Sequence, residues 1–99
     1  MKLFINNSNI LEIDGVKTID GTPINGGSVS LKIKDHDGTV LLDSSMSYIA
    51  DSVGKYQADI PGNLSLSYQQ YIVEIEVVYG SERGFWRDTV MAVHRDFSE

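Results

Sequence analysis

The feature that most constrains this chain is the stretch from Tyr71 to Val93, two strand-like runs joined by Gly80-Ser81-Glu82-Arg83-Gly84. In the first run Tyr71, Val73, Ile75, Val77 and Tyr79 share one face while Glu74 and Glu76 share the other, the period-two pattern of a strand buried on one side. The spacing predicts a long β-hairpin that the rest of the chain covers. If Gly80 to Arg83 forms its turn, Val77 faces Trp86 and Glu76 faces Arg87. The second run then conflicts with itself, because Trp86 belongs inside while the apolar Met91 and Val93 lie on the opposite parity. A β-bulge at Arg87-Asp88 would resolve this by slipping the register one residue. The bulged register turns Phe85 outward beside Val78.

The remaining chain reads as short strands. Leu3-Phe4-Ile5 and Ile10-Leu11-Glu12-Ile13 are apolar clusters, the second being the expected first strand. Asp20 to Gly27 is dense in turn formers and predicts a loop. From Ser28 to Lys34, Val29, Leu31 and Ile33 point one way and Ser and Lys the other, a half-buried strand. Asp35-His36-Asp37-Gly38 predicts a tight hairpin leading to Thr39-Val40-Leu41-Leu42. Met46 to Ala50 reads as a separate, weaker strand. Tyr56, Ala58 and Ile60 alternate inward until Pro61 ends their strand. Leu64 and Leu66 should plug the core edge on the way to Tyr71. No window of helical length carries apolar residues at helical spacing. The chain is therefore expected to be one all-β domain, residues 1 to 99, an immunoglobulin-like antiparallel β-sandwich of about seven strands. A small closed barrel is the alternative. Tyr71 occupies the place of the tyrosine corner in such sandwiches.

Charge and cysteine content narrow the function. Fourteen acidic residues against eight basic ones give a net charge of −6, which opposes nucleic-acid and anionic-membrane partners. There are no cysteines, so disulfides, thiolate metal sites and cysteine nucleophiles are excluded. The N-terminal apolar run is too short for a signal peptide, and no run is long enough for a helical membrane span. Asp35-His36-Asp37-Gly38 begins like a calcium loop, but Gly38 and Met46 stand where that loop needs other residues. His36 and His94 have no further ligands beside them in sequence for a zinc site. No nucleophile motif or Gly-rich phosphate loop is present. The expectation is a protein without catalytic residues, cofactor or metal. Tyr68, Phe85 and Trp86 are the aromatics left over once core positions are assigned, a set that could stack on a sugar.

Several segments carry a resemblance. Asp20-Gly21-Thr22-Pro23-Ile24-Asn25-Gly26-Gly27-Ser28-Val29-Ser30-Leu31, Asp35-His36-Asp37-Gly38-Thr39-Val40, Gly54-Lys55-Tyr56-Gln57-Ala58-Asp59-Ile60-Pro61, Tyr71-Ile72-Val73-Glu74-Ile75 and Gly84-Phe85-Trp86-Arg87 together resemble small immunoglobulin-like structural proteins of tailed bacteriophages and prophages. The resemblance implies a structural or accessory virion protein of the head-tail or tail region, assembled in the host cytoplasm. Its partners would be other virion proteins and further copies of itself as a homo-oligomer, with no nucleic acid and no membrane. Phe85, Val78 and Tyr68 are the candidate protein-contact residues. The alternative is a non-catalytic binding module for carbohydrate or a cell-surface ligand.

Overall fold

In the computed structural model, which describes residues 2–18 and 20–95, seven strands form. They are β1 (Lys2–Phe4), β2 (Asn9–Ile13), β3 (Ser28–Lys34), β4 (Val40–Tyr48), β5 (Tyr56–Ile60), β6 (Gln70–Tyr79) and β7 (Glu82–Val93). The protein is all-β, with the strands in one mixed sheet ordered β1-β7-β6-β3-β4-β5-β2 and curled nearly into a barrel. The curl comes from β4, which pairs with β3 from Val40 to Met46 and with β5 through Ser47 and Tyr48. Tyr48 and Tyr56 meet edge to face at that corner, 5.6 Å between ring centres.

The core is the set of inward residues that this curl brings together. Leu31 and Ile33 of β3, Tyr56 and Ile60 of β5, and Tyr71 and Val77 of β6 are among its buried members. Leu64 and Leu66 pack against it at the edge, as expected. Tyr71 is buried, and its hydroxyl accepts the Ser67 amide proton at 2.7 Å. That bond, reaching four residues back, is the tyrosine corner that the sequence predicts.

The two ends of the strand order meet through one side chain. β1 spans only three residues and pairs, in parallel, with Met91, Ala92 and Val93 of β7. On its other side, the Asn9 amide of β2 stands in for a backbone rung. Its Oδ1 accepts the Phe4 amide proton at 2.9 Å, and its Nδ2 donates to the Phe4 carbonyl at 3.1 Å and to the Asn7 carbonyl at 3.0 Å. Asn9 is the buried polar residue among the described residues, and its bonds explain how burial is tolerated.

Four expectations need correcting. Both N-terminal clusters form strands, and the first lies parallel to β7, so the sheet is mixed and not purely antiparallel. Thr39–Leu42 and Met46–Ala50 belong largely to one strand, β4, because Asp43, Ser44 and Ser45 continue the ladder across the polar interruption. The bulge at Arg87-Asp88 is absent: β6 and β7 pair regularly from Gln70↔Met91 to Tyr79↔Glu82. The reason is the turn, which contains two residues and not four. Gly80 supplies the positive φ, 60°, that such a turn takes at its first central position. Ile75 therefore faces Trp86, Glu74 faces Arg87, and Asp88 falls opposite Val73, away from Glu76. Val90 and Ala92 are the buried residues of the strand, so Met91 and Val93 do not require the inside. Tyr79 keeps the inward parity, yet it is exposed because the hairpin runs past the core there.

Two outcomes follow. Asn9→Ala leaves both polar groups of Phe4 without their partner, and it should lower unfolding free energy by about 2 kcal/mol, read as a lower urea midpoint. Tyr71→Phe should cost about 1 to 2 kcal/mol through the stranded Ser67 amide. A neutral result would reduce Tyr71 to a packing residue.

Candidate functional site

The loop from residue 14 to 27 forms one wall of the candidate site. Val16 and Ile24 are buried beneath it, and the Ile24 amide donates to the Val16 carbonyl at 2.9 Å. Its anchors all lie near β5. The Tyr56 hydroxyl donates to the Ile24 carbonyl at 2.7 Å and accepts from the Gly27 amide at 3.2 Å. The Val16 amide donates to the Gly54 carbonyl, and the Gly54 amide to Asn25 Oδ1. Gly54 has φ +67°, and a Cβ there would approach the Val16 carbonyl oxygen to 2.6 Å. Only glycine fits that crossing.

The other wall is the first half of β7. Two adjoining clefts of about 480 and 330 Å³ run between the walls, and Trp86 borders both. Ile24 and Val77 line the first with Lys17, Glu82 and Arg83, while Ile13, Val16 and Ile75 line the second with Asp14 and Asp88. Trp86 is 48 % exposed although it faces Ile75 on the inward side. Its indole lies over Gly84, where a Cβ would come within 2.9 Å of the ring. The groove is thus an uncovered part of the inner face, with an aromatic ring held over a bare stretch of backbone.

Beside this groove β7 has a free edge. Among the described residues, β1 covers only Met91–Val93, and no strand pairs with the outer side of Glu82 to Val90. A two-residue turn makes Tyr79 and Glu82 exchange hydrogen bonds, so alternate residues from Glu82 onward bond to β6. Arg83, Phe85, Arg87 and Thr89 aim their backbone groups at the open side. Two bonds agree with this phase: the Ala92 amide reaches the Gln69 carbonyl, and the Val93 carbonyl takes the Ile5 amide. Asp88 blunts one end of the edge, its carboxylate accepting the Thr89 amide at 2.8 Å.

Of the three residues expected to make protein contacts, two come together. Phe85, 57 % exposed, sits on the outer face opposite Glu76 and diagonal to the half-buried Val78, whose partner is Arg83. Tyr68, although exposed, precedes β6 at the far end of the hairpin and joins no patch with them. Sequence reasoning missed the groove and the free edge. The signal available was Trp86 at an inward position whose same-face neighbours are Gly84 and the charged Glu82 and Asp88, which marks an inner face that nothing covers.

The outer face around Phe85 is ordered by charge. Asp43, Lys32, Glu74 and Arg87 lie in one cross-strand row of alternating sign. Lys34 Nζ stands 2.6 Å from Glu74 Oε1, and Arg87 Nε stands 3.7 Å from Oε2. The Lys34 hydrogen bond, chiefly, with its charge and those of Arg87 and Lys32, holds the Glu74 carboxyl below its ordinary range against the cost of burial. In the Asp35–Thr39 turn the carboxylates serve the turn itself. Asp35 Oδ1 accepts the Asp37 and Thr39 amides, and Asp37 Oδ1 accepts the Thr39 amide and hydroxyl. Hydrogen bonds from Asp35 and then Thr39 lower the Asp37 carboxyl to about 2. Among the described residues no cluster of His, Cys, Asp and Glu suited to a metal ion occurs.

No family model matches the chain, and no curated protein or solved structure matches it either.

Glu74 supplies a pH test with a defined sign. Its lowered folded-state pKa contributes stability that is present above about pH 4.3, the unperturbed glutamate value, and that is lost as pH falls through the folded value. Glu74→Gln should be less stable than the parent at about pH 7, and the gap should be narrower at about pH 3. Urea midpoints at the two pH values measure it. An unchanged gap would remove the Lys34–Glu74–Arg87 cluster from the account.

Proposed function

We propose that this chain is a structural or accessory protein of a tailed-phage or prophage particle, an immunoglobulin-like module of the head-tail or tail region that acts through protein contacts. It works without catalysis or cofactor, and it is assembled into the virion in the host cytoplasm. The observation that carries the contact role is the free β7 edge, where Phe85 and Trp86 are about half exposed on opposite faces of one strand. Unpaired backbone flanked by apolar side chains is a template for an added strand. The immunoglobulin-like assignment is supported by strand order. β3, β6 and β7 adjoin as strands C, F and G do, β2, β5 and the end of β4 adjoin as B, E and D do, and Tyr71 forms the corner. The particle context rests on the resemblance of the loop and strand motifs.

A second reading is a binding module for carbohydrate or a cell-surface ligand, favoured by one observation. Trp86 borders a groove that also holds Asp14, Asp88 and Glu82, an aromatic surface with hydrogen-bonding groups beside it. The chain's single tryptophan is Trp86, so tryptophan fluorescence, excited selectively over the tyrosines, reports on that groove alone.

Particles purified from a strain carrying the gene should contain the chain in fixed proportion to capsid protein, measured by mass spectrometry, and Phe85→Ser should reduce that proportion. Particles lacking the chain would reject the reading. A saturable fluorescence change with an oligosaccharide, in a chain absent from particles, would favour the alternative.

A further inference from the structure

We infer that β7 pairs edge to edge with β7 of a second copy, antiparallel about a twofold axis through Trp86. This rests on the protein-contact reading and names the partner and the register. In an antiparallel pair the residues whose backbone groups face the open side must oppose one another, so Arg83, Phe85, Arg87 and Thr89 can face only members of their own set. Few registers satisfy that. Centring the axis on Phe85 sets Arg83 against Arg87, and centring it on Arg87 sets that residue against itself. Both are repulsive pairs. Larger shifts run off the Gly80-Ser81 turn or into the segment that β1 already occupies.

Centring on Trp86 avoids all of these costs. Trp86 is the midpoint of the free segment from Glu82 to Val90, so this register uses its whole length. On the outer face Phe85 meets the second copy's Arg87, a cation–π pair. On the inner face the two Trp86 rings adjoin across the axis, and Gly84, without a side chain, faces Asp88. Since Asp88 withdraws the Thr89 amide, the strongest hydrogen bonding falls on the Phe85–Arg87 pairs beside the axis. The two grooves, each bordered by its own Trp86, then become one continuous channel.

The register predicts a cross-linking pattern. Trp86 faces its own copy at a non-hydrogen-bonded position, where Cα atoms lie about 4.5 Å apart, within the reach of a disulfide. Phe85 is displaced from its copy by two residues, which puts the Cα atoms beyond the roughly 7 Å limit, and Arg87 is displaced likewise. The chain contains no native cysteine to interfere. Under mild oxidation Trp86→Cys should form a covalent dimer, whereas Phe85→Cys and Arg87→Cys should not. Sedimentation of the unaltered protein from micromolar to millimolar concentration should show a monomer–dimer equilibrium, lost in Trp86→Arg, whose charges would meet at the axis. An unaltered protein that stays monomeric throughout overturns the inference, as does a dimer in which Trp86→Cys cross-links no better than Phe85→Cys and Arg87→Cys. A monomer still found in particles would overturn only this pairing and leave the contact role standing. A dimer absent from particles would do the reverse.

Discussion

The curled sheet depends on the Asn9 amide. A sheet that nearly closes has two end strands whose backbone groups must pair, be covered or face water, and here β1 is only three residues long. It can satisfy β7 on one side and nothing beyond. The Asn9 side chain has the donor and acceptor of a peptide group, and it offers both to Phe4. One amide thus closes the seam where β1 ends, without a further strand. The positive φ of Asn6, 59°, turns the chain back within the short link from β1 to β2 so that Asn9 can reach. The closure extends no further along β7 than β1 does, so the same short strand that seals one end of the barrel leaves the other open. Groove and free edge are both products of that shortness.

The parts of the fold that were legible in the sequence are those where one face is wet and one is dry. β3, β5 and β6 show alternation in the residues and the same alternation in burial, because their inner faces are covered, that of β6 as far as Val77. β4 looks like two pieces in the sequence because a strand turning a corner changes its surroundings midway. Asp43-Ser44-Ser45 looks like a break although it is paired throughout. β1 was too short to show a period. The site itself was half legible: Phe85 and Val78 come from local parity, whereas the groove requires knowing that the loop from 14 to 27 folds back on β5 and not on β7. That information lies in contacts such as Tyr56 with Ile24 and Gly54 with Asn25, about thirty residues apart in sequence, which no local pattern encodes.

The hairpin illustrates how turn length governs a long ladder. Period-two alternation fixes which residues share a face within one strand, but it does not fix the pairing between strands. A two-residue turn, set by Gly80, changes the partner of Trp86 from Val77 to Ile75 while preserving its face. No bulge is needed, because not every large apolar residue in β7 is buried. Val90 and Ala92 satisfy the core, and the bulkier Trp86 is left at the open end. A tryptophan in that position leaves about half of its surface exposed at the mouth of the groove.

The groove's two walls belong to different parts of the barrel, and this bears on how the edge behaves. Every anchor of the loop wall runs to the region of β5, through Tyr56, Gly54 and Asn25. The opposite wall is held by its ladder to β6 and by the Glu74–Arg87 ion pair on the outer face. Among the described residues no hydrogen bond crosses the groove from the loop to β7. The seam between the two walls is therefore not tied by a hydrogen bond, whereas the other end is tied by Asn9. A strand's stiffness depends on being paired on both sides, and the half of β7 from Glu82 to Val90 is paired on one side only. Covering that edge would stiffen it and fix the width of the groove together.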